Sequence, residues 1–148
     1  MLGVEYGFPF DGYRGGRMSN AGLVHAVRMV RAGAGDPGVM VGAFRSSVVF
    51  VPRDADGRVW SGDEGGIRWL FAFSSEAAMA AFARARGHGG PELEYLTVRG
   101  SRLLDVAVGA VGRPCGVALD VAGAEPMLFP PVRGIVADAV ALDGEGKH

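Results

Sequence analysis

Apolar positions along this chain fall into blocks of two periods, and glycine or proline separates the blocks. Leu23, Val24, Val27 and Val30 recur at three- and four-residue spacing with Arg28 and Arg31 between them. This predicts a first helix that starts at a Ser19-Asn20 cap and ends at Gly33 and Gly35. Asp36-Pro37 offers a cap followed by proline at the first helical position, so Gly38 to Phe44 reads as a short second helix. The β-rich run Ser47 to Pro52 meets the turn signal Asp54-Ala-Asp-Gly57 and resumes in Arg58-Val59-Trp60, a predicted hairpin. A second turn, Ser61 to Gly66, leads into Ile67 to Phe73, apolar enough throughout to be a central strand.

Ser74-Ser75-Glu76 caps a helix whose Ala78, Met79, Phe82 and Ala85 share one face, with Arg84 and Arg86 complementing its C-terminal dipole. Gly87 to Pro91 stops it. Leu93 to Val98 reads as a strand. Leu103, Leu104, Ala107, Val108 and Val111 then return to helical spacing up to Gly112, and Pro114 bars continuation. Gly116 to Val121 is a strand, Ala122 to Pro126 a turn, and Met127 to Phe129 a short last strand before Pro130-Pro131. Val132 to Leu142 is compatible with a helix. Residues 1–18 hold Phe8, Phe10 and Tyr13 without a period and read as an irregular arm; 143–148 form a polar tail. Strands and helices interleave over 19–142, which predicts one α/β (α+β) domain with a mixed sheet of about five strands and three to four packed helices.

Composition narrows the class without naming a function. With 148 residues, 49% of them apolar and 21% charged, the chain can bury a core without disulfides or metals. Its longest run free of Asp, Glu, Lys and Arg, Met18 to Val27, is far shorter than the roughly 20 residues of a membrane helix, and the start lacks the pattern of a signal peptide. The expectation is a soluble, cytoplasmic protein with no membrane partner, and the single Cys115 agrees with a reducing compartment. A net charge of −1 gives no global field for nucleic acid. The only lysine is Lys147; every other basic residue is arginine, scattered among acids, which together with the Ala, Gly and Val content looks like a GC-rich coding bias of the actinobacterial kind.

Chemistry-bearing residues are sparse in their spacing. Cys115 has Arg113 two residues away to lower its pKa, but no histidine is placed beside it, and a small apolar filler at a strand end is the expected reading. His25, His88 and His148 lie far apart. Asp54, Asp56, Asp63 and Glu64 cluster around two turns, where acids are ordinarily solvated; ligand-spaced metal motifs and phosphate-cradling glycine loops are absent. No catalytic residue, metal or cofactor is therefore assigned.

The ordered set Val48-Val-Phe-Val-Pro52, Trp69-Leu-Phe-Ala-Phe73-Ser-Ser-Glu-Ala-Ala-Met-Ala-Ala-Phe82, Gly116-Val-Ala-Leu-Asp120 and Glu125-Pro-Met-Leu-Phe-Pro-Pro131 resembles the SseB N-terminal domain family, over roughly Leu23 to Ile135. The motif residues are mainly structural: a capped strand-to-helix corner and a core anchor at Phe82. The family often has Asn-Pro or Asp-Pro near Asp120-Val121, so a turn differs here. The resemblance implies a small α/β fold, known in bacterial proteins connected with enhanced serine sensitivity and in domains encoded beside secretion genes, including type VII systems. It implies protein–protein work and no defining catalytic motif.

The expected function is accordingly a non-catalytic interaction or adaptor domain with a protein partner, with a small-ligand or enzymatic domain as the alternative and a homo-oligomer left open. The expected binding residues are Trp60, Asp63, Glu64 and Arg68, on or beside one glycine-rich connection, because Trp and Arg are enriched in binding hot spots. Trp69, in the most apolar strand, reads as core, and Trp60 as either core or surface. The proline-flanked Met127 to Phe129 is a second apolar candidate, with burial the favoured reading.

Overall fold

A computed structural model of the chain describes residues 20–87 and 93–143. The expected arm over 1–18, and the tail beyond Asp143, lie outside the described residues. Helix α1 spans Ala21–Arg31 and α2 spans Pro37–Ser46, with Asp36 accepting from the Gly38 N–H as the cap-and-proline pattern requires. Asn20 departs from the expected cap. It sits at φ 52°, makes no side-chain cap bond, and donates its amide instead to the Val48 and Ser74 carbonyls at 2.8 and 2.9 Å. A left-handed conformation is one that Asn tolerates better than most residues.

Strand β1, Val48–Arg53, pairs antiparallel with β4, Glu94–Arg99. The other ladder runs β2-β3-β5-β6, made of Ser61–Glu64, Ile67–Ala72, Cys115–Leu119 and Met127–Phe129. β3 is central, as expected, antiparallel to β2 and parallel to β5. The architecture is mixed α+β, with six strands in two ladders. Reciprocal backbone bonds between Phe50 and Phe73, with Trp60 N–H to the Pro52 carbonyl, stitch the ladders together.

Three elements differ from the sequence reading. The Asp54 to Gly57 turn forms, with Gly57 at φ 90°, but Arg58-Val59-Trp60 is no strand: one bridge, Arg53 to Val59, is all that remains of the hairpin. The chain passes from β1 to β3 at Trp60, whose N–H donates to the Pro52 carbonyl and whose carbonyl accepts from the Phe71 N–H, with its ring against Phe82 on α3, Glu76–Ala85. Ser61 to Glu64, expected as turn, is strand β2, and only Gly65-Gly66 turn; both have positive φ, which a two-residue type I′ connection requires. Val132 to Leu142 is not an α-helix. Gly134 at φ 90° and bonds from Arg133 N–H to Asp143 and from Leu142 N–H to the Pro131 carbonyl close it into a loop with one 3₁₀ turn, Asp138–Val140.

Helix α4 runs continuously over 100–110 and contains a π-helical stretch, Leu103–Ala107. Strand alternation sorts the apolar side chains into two cores. Val49, Val51, Leu70, Ala72, Val117, Leu119 and Phe129 face α1, α2 and α4. Phe50, Phe71 and Phe73 face the other way, onto Met79 and Phe82 of α3 and onto Tyr95. The Ser75 cap on the Ala78 N–H fixes where α3 begins and hence where Phe82 lands, buried as expected.

Candidate functional site

The β2–β3 hairpin places Asp63 directly across from Arg68. Arg68 donates from Nε to Asp63 Oδ1 at 2.7 Å and from Nη1 to the Ser61 hydroxyl at 3.2 Å, and Arg113 reaches the same carboxylate at 3.2 Å. The Arg68 hydrogen bond, with the charge of Arg113 behind it, holds the Asp63 carboxyl below its ordinary range. Glu64 is exposed, and its carbonyl accepts from the Trp69 indole at 3.3 Å. Trp69 is core, as expected, lying over Gly116, where a Cβ would come within 2.8 Å of the indole ring and 2.5 Å of the Phe129 carbonyl.

Trp60 is half-buried on the α3 side of the sheet, its ring centroid 6.1 Å from that of Phe82. The four expected binding residues therefore do not form one cluster on a glycine loop. Trp60 packs on the α3 side, Asp63 and Arg68 pair across the ladder on the alternate side, and Glu64 sits at the hairpin tip. What unites Trp60 with Arg68 is an open hollow of about 400 Å³ at the margin of β2, lined also by Asp54, Arg58, Ser61 and Arg86.

Arg58 and Arg86 were not singled out as binding residues by sequence reasoning. Arg86, just past α3, lies with its guanidinium 5.1 Å from the Phe82 ring, 5.9 Å from Trp60 and 6.0 Å from Phe71. Twenty-six positions separate it from Trp60, and the only signal in the chain was an arginine at a helix end. Asp54 is held in its own turn, accepting from the N–H groups of Asp56 and Arg58 at 3.0 and 3.1 Å.

Cys115 is buried, and burial pushes its thiol up to about 11 against the opposing pull of Arg68 and Arg113, so it is a poor nucleophile at neutral pH. Asp120, at φ 53°, accepts from both the N–H and the hydroxyl of Ser74 at 2.8 and 2.7 Å; burial raises its pKa in spite of those bonds. Asn20 and Asp120 thus clasp the β3–α3 corner from two sides. Among the described residues, no three His, Cys, Asp or Glu side chains gather as a metal site would need. No described helix is long and apolar enough to cross a membrane. In β6, Leu128 is exposed while Phe129 stacks on Phe44 at 4.4 Å. A further hollow of about 590 Å³ lies between α1 and α2, with Leu23, Met29 and Val39 among its walls.

Residues 23–133 match the family model of the SseB protein N-terminal domain. No match was found among curated proteins or among solved structures.

Proposed function

The chain belongs to the SseB protein N-terminal domain family, and from that premise we propose that it works as a non-catalytic adaptor, binding another protein in association with secretion. The observation that carries the proposal is the margin of β2. There a half-buried tryptophan, braced by Phe82 and Arg86, borders a solvent-open hollow lined by arginines. Tryptophan and arginine are enriched among the few residues that carry most of the binding energy at protein interfaces.

Two features support binding rather than turnover. The thiol of Cys115 is pushed away from reactivity, and Asp63 and Asp120 are each engaged by neighbouring donors. The alternative, a small-ligand or enzymatic domain, calls for ionisable groups converging in a deep polar pocket.

The test is capture from the host that encodes the protein, using the wild type and Trp60→Ala side by side with thermal unfolding of both. A partner retained by the wild type and lost by the variant under conditions where both are folded supports the proposal. Identical captured proteins with both would overturn it.

A further inference from the structure

We propose that the hollow beside Trp60 takes one carboxylate group from an acidic segment of the partner protein; the inference rests on the adaptor reading above and adds the chemistry of what is bound. Three arginines from separate parts of the fold line this hollow: Arg58 from the β1–β2 connection, Arg68 from β3 and Arg86 from the end of α3. Their N–H groups are used differently. Arg68 is engaged with Asp63 and Ser61. The side chains of Arg58 and Arg86 donate to no acceptor among the described residues, although each carries five N–H donors.

Arg86 is also held in place. Its guanidinium carbon lies 5.1–6.0 Å from the centroids of three aromatic rings, contacts that restrain a side chain that would otherwise lose much rotamer entropy on binding, without occupying an N–H. A restrained guanidinium with unused donors is suited to the two parallel N–H···O bonds that a carboxylate accepts.

The charge on the lining calls for an anion. Three arginines line the hollow against one carboxylate, Asp54, since Asp63 lies outside the lining and is shared by Arg68 and Arg113, so positive charge is left in excess. A carboxylate meets that need, and a phosphoryl group, which carries about −1.5 to −2 at neutral pH, is the alternative that titration with inorganic phosphate separates. Trp60 on the wall offers an apolar surface to the methylene stem of a glutamate, and a volume of about 400 Å³ admits a side chain with its flanking backbone.

The probe is a terminally capped hexaglutamate peptide, titrated into ¹⁵N-labelled domain at low salt, with capped hexaglutamine as control. The indole signal of Trp60 and the Nε–H signal of Arg86 are expected to move along a saturating curve with hexaglutamate and to stay still with hexaglutamine. Arg86→Gln and Arg58→Gln should each weaken binding about tenfold, the order for losing a charge-assisted hydrogen bond. Both residues are exposed, so both variants should stay folded at the temperature of the titration, which thermal unfolding checks. Equal shifts with hexaglutamine, wild-type affinity in both variants, or tighter saturation by inorganic phosphate would each overturn the site. Hexaglutamate binding through these arginines, with captured proteins unchanged by Arg86→Gln and by Trp60→Ala alike, would keep the site and remove the adaptor reading. A partner lost with Trp60→Ala but indifferent to both arginine variants would keep the adaptor and overturn the carboxylate site.

Discussion

Phe82→Ala removes the side chain on which the α3 side of the molecule is built. Phe82 is 8% exposed, and its ring lies 5.2 Å from Phe71, 5.3 Å from Phe73 and 6.1 Å from Trp60, centroid to centroid. The lost transfer energy and the cavity left among rings that cannot collapse into it together amount to about 3–5 kcal/mol. With a urea dependence of about 2 kcal/mol per molar, the unfolding midpoint should fall by about 2 M, and Tm by roughly 10 °C. The variant should also bind hexaglutamate more weakly while still folded, because Arg86 loses the nearest of its three supporting rings. Equilibrium urea unfolding followed by far-UV circular dichroism measures the first effect and the peptide titration the second. A stability loss under about 1 kcal/mol at unchanged slope would refute the packing argument, since no buried phenylalanine in rigid surroundings is that dispensable.

Further expectations rest on other contacts. Cys115→Ser should cost about 1–2 kcal/mol by burying a hydroxyl, leave hexaglutamate binding unchanged, and be matched by slow alkylation of the wild-type thiol at neutral pH; rapid labelling would contradict its raised pKa. Asp120 has a folded pKa above its unfolded one, so the folded state holds that proton more tightly and stability declines as pH rises from about 4 through the raised value. Asp120→Asn should remove that decline, and parallel stability–pH profiles of variant and wild type would refute the assignment. Gly100→Ala should destabilise by about 1–3 kcal/mol, because its Cβ would collide with the Phe44 carbonyl oxygen. Gly42→Ala, with open space around it in the middle of α2, should stabilise by about 0.5–1 kcal/mol; chemical denaturation of the pair checks both signs.

The candidate site was half legible in the chain. Trp60 and Arg68 were picked out by residue type and do border one hollow, while Asp63 proved to be the partner that neutralises Arg68, and Glu64 stands apart at the hairpin tip. Arg58 and Arg86 were visible only as a turn neighbour and a helix-end cation. Their meeting depends on α3 crossing the sheet so that Phe82 lands beside Trp60, and no spacing in the chain encodes that crossing.

What the chain determines by itself is local. The period of apolar residues, the Asp36 and Ser75 caps and the positive-φ glycines at turns each act within a few residues, and so α1, α2, β3, α3, β5 and β6 appear where the pattern puts them. Only the tertiary structure decides which edges pair and which side chains have a better use elsewhere. β1 takes β4 as its ladder partner along one edge and on the other meets Arg58 to Trp60 only at a single bridge before Phe50 bonds to Phe73, and Asn20 gives up the cap of α1 to bind Val48 and Ser74. The physical reason is the same in both cases. Backbone and amide groups accept any well-placed partner at nearly equal energy, so the choice among partners falls to burial of the large side chains, and burial is settled by residues far apart in the chain.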